Sequence, residues 1–332
     1  MAGRTVRVMV LALALQGAVA AIVRADGLPV LGFASGAHGV RALDGTRRYV
    51  AHPRRHETIV EGISTTGRRA VRTVIRGRFD VPVVAYDGSA SGLSANGHIL
   101  VLIRPRIAFP QRSTELAVLA ARTLRVRRFE RLRGDFSFDA ISPGGEWIYL
   151  IQYTSRFDPT RYRVRALSTL TGRLLARDIV DPHDRGVAMR GNPIARVSSS
   201  DGRWAYTLYD GKGHPFVHAL DTARRQARCI DVAAFPTNSD WLTVRLRLTG
   251  ERLIVDLGGR TLSEIDTRSL SLLAPARATT PTQPRRTETR STSGTVGIAL
   301  PIAAAALLLV GGTIAVRRRF RVPPRRAQVD RN

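Results

Sequence analysis

In 332 residues the chain has one cysteine, Cys229, and one lysine, Lys212. A lone cysteine excludes an intrachain disulfide, so a folded domain must draw its stability from buried apolar area, which a chain of this length can supply. Cys229 sits in the alternating run Arg228 to Val232 and reads as a small core hydrophobe. The scarcity of lysine leaves almost all of the formal charge of +26 on arginine, in a sequence also rich in alanine and valine. That bias is what a GC-rich genome produces, so it loses most of its force as a nucleic-acid signature. What survives is a basic surface able to draw anionic headgroups or polymers over a distance. Glycine-rich phosphate loops, calcium loops and dinucleotide fingerprints are missing, which leaves a bound nucleotide without support.

The two ends differ from the middle. Residues 1–25 carry Arg4 and Arg7, an apolar run from Val8 to Val19, and small residues at Ala18-Val19-Ala20 and Val23-Arg24-Ala25, the pattern of a secretory signal peptide. Residues 295–316 form a 22-residue uncharged stretch, long enough as one transmembrane helix to cross a hydrocarbon core of about 30 Å. Residues 317–332 follow with seven arginines against Asp330, so the positive-inside rule predicts a cytoplasmic tail. Residues 275–294, rich in Thr, Ser, Pro and Arg, are too polar to pack a core and read as a linker. The organisation predicted is a single-pass cell-membrane protein that holds residues 26–274 outside the cytoplasm. A nucleic-acid partner is not expected across a secretion boundary.

Within residues 26–274 a unit recurs five times. Each unit has a turn glycine and then an apolar run: Gly45 before Arg48-Tyr49-Val50, Gly97 before Ile99-Leu100-Val101, Gly145 before Trp147-Ile148-Tyr149, Gly202 before Trp204-Ala205-Tyr206, and Gly250 before Leu253-Ile254-Val255. The glycines are 52, 48, 57 and 48 residues apart. A second apolar stretch follows in each unit and closes on a Thr- or Ser-rich turn, as at Ser64-Thr65, Ser168-Thr169, Asp221-Thr222 and Asp266-Thr267. A further short run comes next, such as Arg173 to Val180 or Arg225 to Val232. Asp-Gly and Asn-Gly between alternating runs are strong hairpin signals, and Val, Ile, Tyr and Trp suit a pleated, half-buried surface. Each unit therefore reads as four short strands. A four-stranded sheet cannot bury both faces alone, so such units stack, as the blades of a propeller do. The fold class predicted is all-β, a β-propeller of about five four-stranded blades.

The runs Ser142-Pro143-Gly144-Gly145-Glu146-Trp147-Ile148-Tyr149 and Ser200-Asp201-Gly202-Arg203-Trp204-Ala205-Tyr206 resemble repeats of the bacterial extracytoplasmic YncE and YVTN class of β-propellers. The resemblance is close over residues 136–180 and 193–233 and loose elsewhere. It implies a propeller outside the cytoplasm, and the repeats here are longer and less even than in that class.

No catalytic, cofactor-binding or metal-binding residue is assigned by the sequence. The histidine pairs His52/His56 and His214/His218 fall in strand or turn context, where a spacing of four places two side chains roughly 13 Å apart, too far for one metal ion. Gly88-Ser89-Ala90-Ser91-Gly92 imitates a nucleophile elbow but has Ala90 where the serine belongs. Asp181-Pro182-His183-Asp184 puts carboxylates beside an imidazole in a proline-marked turn, with no nucleophile fixed nearby. Arg133-Gly134-Asp135 is an adhesion tripeptide without context. Propeller geometry points to polar groups on the innermost strands, such as Asp139 and Arg196. The function expected is a membrane-tethered binding or scaffold module for a protein, a peptide or an anionic envelope polymer, without a cofactor; the alternative is an extracytoplasmic propeller hydrolase or lyase acting on glycan or peptide.

Overall fold

The computed structural model describes residues 38–183, 189–236 and 240–273. The expected signal peptide, linker, span and tail lie outside the described residues, and among the described ones no helix is long and apolar enough to cross a membrane.

The described chain is all-β, with five antiparallel sheets that each use strands in chain order. Sheet 1 holds β1 (Val40–Arg41), β2 (Arg47–Pro53), β3 (Glu57–Ser64) and β4 (Arg69–Arg76), and sheet 2 holds β5 (Ile99–Ile103), β6 (Ser113–Ala120) and β7 (Arg125–Arg133). Sheet 3 holds β8 (Phe136–Ile141), β9 (Trp147–Tyr153), β10 (Arg161–Ser168) and β11 (Met189–Arg190). Sheet 4 holds β12 (Pro193–Ser198), β13 (Trp204–Tyr209), β14 (Phe216–Asp221) and β15 (Gln226–Asp231). Sheet 5 holds β16 (Val244–Thr249), β17 (Arg252–Leu257), β18 (Arg260–Asp266) and β19 (Ser271–Leu272).

The repeat seen in the sequence has a local chemical cause. Gly97, Gly145 and Gly202 sit at positive φ in the turn before the long second run, and each donates its N–H to the carbonyl of the serine three residues earlier, Ser94, Ser142 or Ser199. The same serines accept through Oγ from the N–H of Ile99, Trp147 and Trp204 at 2.9–3.0 Å, which starts the next strand in register. The second landmark of each unit lies against the first: the backbone N–H of Thr65, Ala121, Thr169, Thr222 and Thr267 donates to the carbonyl of Thr46, His98, Glu146, Arg203 and Glu251. Thr169, Thr222 and Thr267 add a hydroxyl bond to that turn.

Packing follows from alternation along the second run. On β5, Leu100 and Leu102 face sheet 1 while Ile99, Val101 and Ile103 face sheet 3. On β9, Ile148 and Leu150 face sheet 2 while Tyr149 and Ile151 face sheet 4. On β13, Ala205 and Tyr209 face sheet 3 while Tyr206 and Leu208 face sheet 5. These strands are buried on both sides, which is why they read as unbroken apolar runs rather than as half-polar ones. Five sheets thus stack face to face in chain order, the packing plan of a β-propeller. The first strands of sheets 1, 3 and 4 and the segment Ser89–Ala95 ahead of β5 surround one cavity of about 360 Å³.

Two units depart from the expected four-strand pattern. In sheet 2 the first strand is reduced to single bridges, Leu93 to Leu100 and Asp80 to Ile103. In sheet 3 the predicted strand Arg173 to Val180 is also only two bridges, Leu167 to Leu174 and Val164 to Ile179. Three residue steps on β10 face five on the other side there, so two residues are pushed out of the ladder. The edge is completed instead by Met189 and Arg190, paired with Tyr162 and Arg161.

Candidate functional site

The segment that replaces the first strand of sheet 2 becomes a hairpin, Val83 bridging to Ala90, built on an Asp87-Gly88 turn. It reaches across to β12 of sheet 4: Tyr86 and Asp87 donate their N–H groups to the carbonyls of Pro193 and Ile194 at 2.9 and 3.0 Å, and Ser89 Oγ donates to the carbonyl of Arg196. Val81, Val83, Val84 and Ala85 are buried, so the hairpin fills space between the sheets with apolar side chains. The glycine-serine segment that imitates a nucleophile elbow is therefore the returning arm of this hairpin. Gly92, where the arm rejoins sheet 2, has φ of +110°, and a Cβ there would lie 2.5 Å from the carbonyl oxygen of Val101. Gly92→Ala is expected to cost about 2 kcal/mol in unfolding free energy, measured by urea denaturation, because both the backbone angle and the contact oppose a side chain.

The two innermost-strand residues singled out in the sequence meet. Arg196 Nη1 donates to Asp139 Oδ1 and to Thr207 Oγ1, both at 2.7 Å, and Arg196 Nη2 donates to the Asp139 carbonyl at 2.9 Å. Both side chains are only 4% exposed. Around them stand Tyr162, in ring contact with Tyr153 on one side and Tyr209 on the other, and His218 edge-on to Tyr209. Burial pushes the three phenols above their ordinary range. It also pushes the His218 imidazole down to about 4, an effect the Asp139 carboxylate offsets in part and Arg196 reinforces. The opening among Val84, Ser137, Asp139, Tyr162 and Tyr209 holds about 20 Å³, room for a water molecule and nothing larger. These polar groups tie sheets 3 and 4 together and leave no space for a substrate.

The other singled-out residues separate. His214 is exposed in a turn while His218 is sealed inside sheet 4; His52 is exposed on β2, 3.8 Å from Glu61, and His56 is exposed in the turn that follows. Among the described residues no group of three His, Cys, Asp or Glu side chains stands together as a metal would need. The adhesion tripeptide is not presented to a receptor. Asp135 is buried, accepts from Arg106 Nε at 3.1 Å, and takes the Gln111 N–H at 2.9 Å. Cys229 is half-buried, with Sγ 3.8 Å from His218 Nδ1, a less complete burial than a core hydrophobe implies.

One open face of the described residues lies between sheets 4 and 5. A groove of about 750 Å³ there is lined by Trp204, Arg224, Arg228, His183, Glu251 and Arg268 among others. Its wall includes the half-buried Trp204 ring, stacked at 5.9 Å on the buried Tyr206 ring behind it, with the Arg203 guanidinium over Trp204 at 5.4 Å. Arg203 is held by Asp221 at 2.7 Å and Arg268 by Glu251. Asp181 and His183 do come together, Oδ1 to Nδ1 at 3.0 Å, with Arg228 Nη1 3.0 Å from the same ring nitrogen. Arg224 is exposed and has no ion-pair partner among the described residues. Sequence reasoning found Trp204 as a strand residue but not as a groove wall, because the groove exists only between two units.

No protein-family model and no curated protein matches the chain. Solved structures with a similar chain path include hydrazine synthase of Kuenenia stuttgartiensis, at 16% identity and a TM-score of 0.44 over 68% of this chain and 70% of that one. A functionally unknown protein from Desulfotomaculum acetoxidans gives 13% identity and a TM-score of 0.45 over 74% and 69%. The β-propeller domain of Cps50 (Swd1) from Myceliophteria thermophila gives 14% identity and a TM-score of 0.42 over 74% and 72%. These similarities are too remote to transfer a role to this chain.

Proposed function

We propose that this chain is a membrane-tethered, extracytoplasmic β-propeller that closes its five sheets into a ring and serves as a docking scaffold for a partner protein. In this reading residues 1–25 direct export, residues 295–316 span the membrane, the basic tail stays in the cytoplasm, and the fold is kin to the YncE and YVTN class. The partner sits in the groove between sheets 4 and 5. The observation that carries the reading is a division of labour. The polar groups between sheets 3 and 4 are enclosed around the Arg196–Asp139 bonds with room for no more than a water molecule, whereas the groove presents the half-buried Trp204 ring, backed by the buried Tyr206, beside an exposed arginine without an ion-pair partner among the described residues and charges of both signs on its rim. Tryptophan and arginine are among the side chains that dominate binding energy at protein interfaces.

The enzyme alternative has one observation in its favour, the Asp181–His183 contact on the groove rim. A hydrolase of this kind would lose its activity with His183→Ala, whereas a docking surface would keep most of its affinity.

The test is crosslinking of the full chain in intact cells, comparing wild type with Trp204→Ala and Arg224→Glu. A specific crosslinked protein is expected, with its yield reduced about fivefold or more by either change, the loss that a contact worth over 1 kcal/mol produces. Unchanged yield in both variants would remove the groove from the account.

A further inference from the structure

A second groove, of about 640 Å³, opens between sheets 1 and 2. Its chemistry differs from the first. Arg55, Arg76, Arg78, Arg104 and Arg131 line it against Glu115 and Glu130, so five positive charges meet two negative ones. Glu115 holds Arg104 at 2.7 Å and approaches Arg131 at 3.9 Å, and Glu130 holds Arg128 at 3.2 Å. Arg55, Arg76 and Arg78 are exposed and have no carboxylate at ion-pair distance among the described residues. The backbone that carries two of them is fixed: Thr58 Oγ1 donates to the Gly77 carbonyl at 2.8 Å and accepts the Phe79 N–H at 2.7 Å. Between the arginines lies an aromatic surface, Phe129, half exposed and in ring contact with Phe79 at 5.7 Å.

Like charges gathered with too few carboxylates to pair them repel one another, and a groove that keeps three guanidinium groups out of ion pairs is complementary to an anion. Guanidinium forks match carboxylate and phosphate oxygens in pairs. An exposed ring beside them suits the apolar face of a sugar, which a bare phosphate does not have. The site is concave and lies between two sheet edges, so it fits a narrow chain better than the flat surface of a bilayer. We infer that this groove binds a segment of a linear acidic glycan, with Arg55, Arg76 and Arg78 on its acid groups and Phe129 under a sugar ring. The groove is on other sheets than the docking surface proposed above, so the two stand or fall separately.

The experiment titrates hexagalacturonate into the full chain in dodecyl maltoside micelles, with maltohexaose as the neutral control and phosphatidylglycerol vesicles as the membrane control. Saturable binding is expected for the acidic hexasaccharide alone. The triple variant Arg55→Ala, Arg76→Ala, Arg78→Ala should weaken it by about tenfold or more, as three exposed contacts of a few-fold each would. Phe129→Ala should weaken it about threefold, in line with one lost ring contact. The variant Arg173→Ala, Arg177→Ala, Arg190→Ala removes the same charge from sheet 3 and should leave the affinity within twofold, and thermal melting of each variant reports whether the fold is kept. Equal loss in both triple variants would reduce the effect to net charge and overturn the proposal. So would an unaffected Phe129→Ala, no saturation by hexagalacturonate, or binding confined to the vesicles.

Discussion

Arg196→Ala is expected to destabilise the domain by about 3–5 kcal/mol, because it leaves a carboxylate buried without its partner. In a domain of this size that corresponds to a melting temperature lower by roughly 10 °C. The Arg196 guanidinium is shared among the Asp139 carboxylate, the Asp139 carbonyl and the Thr207 hydroxyl, and both charged side chains are almost fully enclosed. Removing both charges is a different perturbation. A variant with Arg196→Met and Asp139→Leu should lie within about 2 kcal/mol of wild type, since apolar side chains of similar volume often replace a buried pair at little cost. Urea denaturation of the three proteins decides the matter. If Arg196→Ala costs no more than an exposed control such as Arg173→Ala, the pair is not what ties sheet 3 to sheet 4.

The second large effect concerns acid, and wild type is expected to hide it. His218 is held neutral by burial, with its folded value pushed down to about 4 from an ordinary 6.5. Between those values the unfolded chain carries one more proton than the folded one, so acidification weakens the fold, by up to about 3 kcal/mol once pH reaches 4. Asp80 acts in the opposite sense. Burial raises its carboxyl from 3.8 to about 6, against the lowering influence of the Val81 N–H and of Arg78. Between pH 6 and 3.8 the folded chain is the one with the extra proton, so acidification strengthens the fold by a similar amount. The two nearly cancel, and wild-type stability should vary little from this pair between pH 6.5 and 4. His218→Gln should then grow more stable as pH falls through that window, and Asp80→Asn should grow less stable. Unfolding free energies at pH 4, 5 and 6.5 separate the cases, and parallel pH profiles for the two variants would contradict both assignments.

Much of the architecture was legible in the chain because its signals are local. The Gly97, Gly145 and Gly202 turns, with the serine three residues before and the apolar run after, are closed by bonds that span at most five residues. The unbroken apolar runs at Ile99–Ile103 and Ile148–Ile151 reported strands covered on both faces. The stretch Arg173 to Val180 misled, because its apolar residues do pair with β10, but with two residues to spare that propensity alone does not count. Ser94-Ala95-Asn96-Gly97-His98-Ile99 carries the same serine device as the later units and would have sharpened the start of sheet 2.

By itself, then, the sequence determined the class of structure, the number of repeating units and the place of each first turn, since these depend on φ angles, side-chain alternation and hydrogen bonds between near neighbours. It also named Asp139 and Arg196, though not their use. Only the tertiary structure decided that these two neutralise each other, that Val81 to Ser91 crosses to β12, that Asp135 turns inward to Arg106, and that Arg55, Arg76 and Arg78 stand out of ion-pair distance of a carboxylate on one groove. Each of those outcomes joins residues of different sheets, tens of positions apart. Charge and burial are properties of the space between units, and a pattern read along one unit contains no measure of it.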